Sequence, residues 1–217
     1  MAAFAALSVM AATGLGWWRW IHRNTAPSMS LPGEPEHLDT RLIGLGATLL
    51  QDRAPLAAMR LYLNDFHFVQ ADTRAELELH CYCAWLNEDL AQCVIFDGNT
   101  EGAHLVGVEY IISERFFAGL PPAEQRLWHS HRHDVDAGLL AAPGIPRRVE
   151  QRVKKKLGGT YGKGWRTWDT ERDALPLGAP GPMSAFTADD PVLCSLREDR
   201  DQRFGLSKEG AAPSAAP

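Results

Sequence analysis

The sequence predicts an α+β domain, an antiparallel β-meander packed with several short helices. Two observations carry this. Between Ala75 and Leu86 the residues alternate: Leu77, Leu79, Cys81, Cys83 and Trp85 share one face, and Glu76, Glu78, His80 and Tyr82 the other. A period of two is the mark of a half-buried strand. Asp97-Gly98-Asn99 then separates two further strand-like runs, Gln92 to Phe96 and Leu105 to Ile112. A turn of that composition between apolar runs predicts consecutive antiparallel strands.

From the N-terminus, residues 1–24 read as an apolar anchor or targeting segment. No charged side chain occurs from Met1 to Trp18, which reaches the lower limit of a bilayer span. Trp17, Trp18 and Trp20 beside Arg19 and Arg23 form an aromatic and basic belt of the membrane-interface type. A signal peptide carries its basic residues ahead of the apolar run. Here they follow it, which favours an uncleaved anchor with the domain on the cytoplasmic side. A cleaved targeting peptide and a disordered tail are the alternatives. Residues 25–35 are a Pro/Ser/Gly linker, 36–200 the folded domain and 201–217 a disordered tail ending in Gly, Ala, Pro and Ser.

Within the domain, Asp39 or Thr40 caps a helix reaching about Gln51, with Leu42, Leu45, Leu49 and Leu50 as its apolar stripe. Pro55 breaks it, and Leu56 to Leu63 reads as a second helical piece. Asn87 to Leu90 is a turn. Short helices are expected at Ser113–Phe117 and from Pro121–Pro122 to Trp128, and a basic one at Arg147–Lys156. Residues 158–164 read as a glycine-rich turn, and Trp165 to Asp169 as a further strand. The glycines do not make the dinucleotide fingerprint.

The chain has 217 residues, enough to bury a core without staples. A net charge of −5 argues against a nucleic-acid partner. The basic run Arg147 to Lys156 reads first as a solvated helix face and second as a headgroup contact. The four cysteines, Cys81, Cys83, Cys93 and Cys194, contain no C-x-x-C pair. They read as buried thiols of a reducing compartment. A thiol nucleophile at Cys83 or Cys93 beside His80 is the minor alternative.

A metal-ligating set is the sharpest chemical reading. His129 and His131 form H-x-H, and alternate residues of an extended segment face the same way. His80 lies on the polar face of its strand. Glu109 interrupts an apolar strand, where a charge must be paired, hydrogen-bonded or functional. Imidazole with carboxylate suits a divalent metal, zinc or iron. The set is therefore His80, Glu109, His129 and His131, with His67 as a further candidate and an open coordination position. The plainer reading makes these histidines hydrogen-bonded surface groups and pairs Glu109 with a base. No H-E-x-x-H or G-x-S-x-G motif is present.

Several stretches resemble the oil body-associated protein family. They are Leu31-Pro-Gly-Glu-Pro35, Asp65-Phe-His-Phe68, Leu86-Asn-Glu-Asp89 with Gln92 to Asp97, Leu105 to Ser113, and Leu127-Trp-His-Ser-His131. Gly138 to Pro146, Thr160-Tyr-Gly-Lys163 and Leu175-Pro-Leu-Gly178 continue the series. The resemblance spans residues 31–195. It implies a protein of the lipid-droplet or membrane surface and carries no reaction with it. Plant members usually have paired histidines where this chain has His80-Cys81, and a histidine where it has Arg166. Two functions follow as expectations: a lipid-surface protein without catalysis, or a metal-dependent enzyme with a His/Glu pocket acting on a small or lipid-like substrate.

Overall fold

Alternating strands fix the architecture, because each must bury one face. The computed structural model describes residues 25, 29–69, 72–185 and 191–206. Its strands are β1 (Leu61–Val69), β2 (Asp72–Trp85), β3 (Leu90–Phe96), β4 (Leu105–Ser113), β5 (His129–Ser130), β6 (Thr160–Arg166) and β7 (Gly181–Ala185). Its helices are α1 (Leu38–Leu50), α2 (Ala54–Ala57), α3 (Glu114–Ala118), α4 (Pro122–Gln125), α5 (Arg132–Asp136), α6 (Arg147–Leu157) and α7 (Pro191–Phe204). The fold is α+β, as the strand pattern predicts.

β1 to β4 form the antiparallel meander. The sheet runs β4-β3-β2-β1-β7-β6-β5, and β4 also pairs with β6. That pairing curls the sheet back onto itself. β7 meets β1 only at His67–Val69. Nearer the start of β1, Asn64 exchanges backbone hydrogen bonds with Ala141 instead, at 2.9 and 2.8 Å. The segment 139–142 thus completes the edge that β7 leaves open.

The curl has an inner and an outer face. Leu63, Leu79, Cys81, Cys83, Cys93, Ile95 and Met183 form the inner core, joined by Leu140, Ala142 and Leu157. On the outer face Phe66 packs with Leu139 and Leu193. Arg200 of α7 fastens that side. Its guanidinium is 1% exposed and donates to the carbonyls of Gly138 and Leu139 and to Asn64 Oδ1.

Several local expectations are corrected. Leu61–Leu63 belong to β1, because the alternation of β1 lets it pair along β2. The glycine-rich stretch is a strand: β6 pairs with β4 from Thr160 to Arg166, and Gly162 and Gly164 lie within it. Trp165–Asp169 is a strand only as far as Arg166. The helix expected from Pro122 to Trp128 ends at Gln125. α7 runs to the buried Phe204, beyond the domain boundary read at residue 200. Residues 207–217 lie outside the described residues.

The reading of four free thiols is also corrected. Cys83 and Cys93 face each other across β2 and β3 with Cα atoms 4.1 Å apart, and they are joined by a disulfide. Directly opposed strand positions bring the two Cβ atoms within bonding reach. Neither sulfur is then a nucleophile. Cys81 is a buried free thiol and Cys194 an exposed one. Among the described residues no helix is long and apolar enough to cross a membrane. The anchor expected at residues 1–24 lies outside the described residues.

Candidate metal centre

Strand register decides which polar side chains meet. Glu109 stands opposite Cys93 on β3 and Gly164 on β6, so it projects to the inner face. Asp65 and His67 share a face with Leu63, two and four residues along β1. His129 pairs with Gly162 across β5 and β6. Asp134 comes from α5, just after the H-x-H segment. Asp65, His67, Glu109, His131 and Asp134 are all buried within this apolar interior.

The H-x-H segment is held in place from outside. Glu124 of α4 accepts from Trp128 Nε1 at 3.0 Å and from Lys163 Nζ at 2.6 Å, which ties the approach of β5 to β6. The His131 backbone donates to Thr160 O at 3.2 Å. Opposite His129, Gly162 has no side chain to obstruct the imidazoles. A Cβ there would overlap Glu109 Oε1 and stand 2.7 and 2.8 Å from His131 Nε2 and His129 Nε2.

The ligand atoms converge. One atom each from His67, Glu109 and His129 lie within 4.8 Å of one another. Glu109 Oε1 is the common point, 3.2 Å from His129 Nε2 and 3.4 Å from His131 Nε2. These contacts are not aligned as hydrogen bonds: among the described residues Glu109 Oε1 and His129 Nε2 have no hydrogen-bond partner. His129 Nδ1, both nitrogens of His67 and both carboxyl oxygens of Asp134 are likewise buried without one. Such groups each cost about 1–3 kcal/mol when nothing satisfies them.

The tautomer of His131 follows from its neighbour. The Thr160 hydroxyl donates its one hydrogen to Leu157 O at 2.7 Å, so at 2.9 Å it accepts from His131 Nδ1–H. A neutral His131 then carries its lone pair on Nε2, 3.4 Å from Glu109 Oε1. Two electron-rich atoms at that distance repel unless positive charge lies close to both. Asp65 Oδ2 stands 3.6 Å from His67 Nε2, an electrostatic contact without a hydrogen bond. Asp65, His67 and Asp134 form a second group within 4.8 Å, sharing His67 with the first.

The ionisation pattern shows how the cluster meets its charge. Burial works against a charged His67, but Asp65, then Glu109 and Asp134, raise its pKa to about 9. Burial is likewise overcome at His131, which Glu109 raises. At His129 burial prevails and lowers the pKa to about 4. Burial opposes ionisation of Glu109, yet His129 and His131 hold its carboxyl well below the usual range. Burial, reinforced by Asp65, pushes Asp134 up to about 8. The cluster gathers protons because its carboxylates need positive charge nearby, and a divalent cation supplies the same compensation.

The structure brings together Glu109, His129 and His131 of the set read from the sequence, and adds His67. It does not bring His80. That ring lies on the other face of β2, opposite Asn64 and Phe96. Its Nδ1 is 2.8 Å from the Tyr62 hydroxyl, and its Nε2 is 3.8 Å from Glu78. Arg166, buried at the end of β6, is engaged by Asp169 Oδ1 and the Trp168 carbonyl. Sequence reasoning passes over Asp65, Asp134, Thr160 and Gly162. The alternation Leu61, Leu63, Asp65, His67 is the available signal for the first.

A family model described as a protein of unknown function (DUF1264) matches residues 53–214. The chain belongs to that family. Oil body-associated protein 1B of Arabidopsis thaliana is 36% identical over 197 residues, covering 90% of this chain and 82% of the relative. Oil body-associated protein 1A of Zea mays is 41% identical over 185 residues, 85% of this chain and 78% of the relative. Oil body-associated protein 2B of Zea mays is 40% identical over 190 residues, 86% and 76%. The resemblance carried by the sequence motifs is thereby borne out. No solved structure matches the chain.

Proposed function

We propose that this DUF1264 domain works at the surface of a lipid body and holds one divalent cation, zinc or iron, among His67, Glu109, His129 and His131. The observation that carries the cation is the meeting of His129 Nε2 and His131 Nε2 on the single oxygen Glu109 Oε1, buried and with no hydrogen-bond partner for that oxygen among the described residues. Imidazole and carboxylate are the donor set of such metals. Thr160 orients one of the imidazoles from behind, as a supporting group around a metal does. The lipid body comes from the names of the relatives.

Three ligands converge, and if His131, 3.4 Å from Glu109, joins them the set is closed, which favours a cation that stabilises the fold over one that turns over substrate. The side chains of the cluster agree: His129 is 10% exposed and Glu109 5%. The metal-dependent enzyme is the second reading, and it needs an opening beside His129.

The test is metal content of the full-length chain, purified without a histidine tag and measured by mass spectrometry. About one zinc or iron per chain is expected. The His129→Ala/His131→Ala pair should lose it, and His80→Gln should keep it. A metal-free wild type, or a double variant with unchanged content, overturns the cation. Failure of the chain to co-purify with buoyant lipid from cells overturns the location.

A further inference from the structure

α1 is the longest described helix that buries no residue; the others that bury none have four or five residues. Leu38, Leu42, Leu45 and Leu49 recur at the spacing of a single helical stripe, and Ile43 and Leu50 widen it. These six side chains are 57% to 87% exposed. A contiguous apolar surface of this kind marks a site that another apolar phase covers. A 13-residue helix containing Gly44 and Gly46 is also a poor helix by itself in water. It gains order from whatever receives its stripe.

We propose that α1 docks the domain on lipid by inserting Leu38, Leu42, Leu45 and Leu49 into the phospholipid monolayer of a lipid body. This rests on the lipid-body reading above. The charge of the helix selects the occupant. Its only ionic side chains are Asp39 and Arg41, which cancel. A helix that binds anionic headgroups carries a basic polar face. This one offers apolar area and no net charge, which suits a neutral surface with exposed acyl chains. The uncharged run Met1–Trp18 with its tryptophan belt precedes it in the sequence. Two weak apolar signals together give stable residence where one gives only reversible binding.

The experiment is flotation of the full-length chain with triacylglycerol droplets coated in phosphatidylcholine. The variant is Leu42→Ser/Leu45→Ser/Leu49→Ser. Its side chains are exposed in the fold, so its thermal melting should match the wild type, and Thr40→Ala/Thr48→Ala on the polar side is the control. The triple variant should lose at least about tenfold of the bound fraction, since each leucine withdrawn removes a large apolar contribution. The control should float normally, and high salt should leave binding of the wild type unchanged. Equal flotation of wild type and triple variant overturns the assignment of α1 and leaves the lipid-body reading standing. A wild type that does not float overturns both. Light scattering is run in parallel. A wild-type dimer that the triple variant converts to monomer overturns the proposal in favour of a second copy as the occupant. Salt-sensitive binding overturns it in favour of a charged contact.

Discussion

Gly162 and Glu109 share one small volume: a Cβ at position 162 would overlap the Oε1 atom on which two imidazoles converge. The strand that sequence patterning reads as a turn is therefore glycine-rich for a local reason. Its partner strand delivers a carboxylate into the space that a side chain of β6 would fill.

Gly162→Ala should thus empty the centre without unfolding the domain. The Glu109 side chain is flexible at its end and can swing aside, so the overpacking should cost about 1–3 kcal/mol. Its oxygen would then leave the two nitrogens. The expected result is a folded protein, by circular dichroism, whose metal content falls below a tenth of the wild-type value. Unchanged metal content would show that the glycine serves packing only.

Thr160→Val keeps the shape of the side chain but removes the acceptor for His131 Nδ1–H. His131 can then flip its tautomer and turn Nε2 into a donor. Metal affinity should fall about 10–100-fold, the usual effect of losing a supporting partner. Competition with a chelator measures this, and Thr160→Ser should restore the wild-type value. A Val variant that holds metal as tightly as the wild type would remove Thr160 from the site.

The legible part of this molecule is the part where period and burial agree. β2 alternates in polarity and β3 in burial, and the meander follows. Glu109 announces itself as a charge inside an apolar strand, and His129 and His131 by their spacing. His67 enters only as a secondary candidate because Leu61–Leu63 read as helix, which hides the strand that aims it inward. His80 joins the set because it is a histidine on the same meander. Its parity puts it with Glu78 and Tyr82, away from Cys81 and Cys83, and that parity is decisive. α7 is not readable from period, since polar residues surround it and its one buried cation, Arg200, does what an apolar stripe does elsewhere.

Arg200→Met tests that last point. The methionine keeps much of the buried volume but leaves the carbonyls of Gly138 and Leu139 and Asn64 Oδ1 without this donor. Each unsatisfied buried acceptor costs about 1–3 kcal/mol, partly offset by relaxation, so a loss of about 2–4 kcal/mol is expected. Urea unfolding at constant slope measures it. A variant of unchanged midpoint would mean that α7 is held by Leu193 and Phe204 alone.

His80 gives the fold a pH dependence separate from the metal cluster. Burial lowers its pKa to about 4, against 6.5 in an unfolded chain. Between those values the unfolded state binds the additional proton, so stability rises with pH across this window. The contribution is full above about pH 6.5, declines as pH falls toward 4, and is flat below that. Across the whole window it amounts to about 3 kcal/mol. His80→Gln retains a side-chain acceptor for the Tyr62 hydroxyl and cannot titrate. The measurement is the difference in unfolding free energy between wild type and this variant at several pH values from 7.5 to 4, chelator present throughout. The difference should shift against the wild type as the solution is acidified. A difference independent of pH would mean that His80 ionises in the folded protein as readily as in the unfolded chain, with Glu78 at 3.8 Å compensating for its burial.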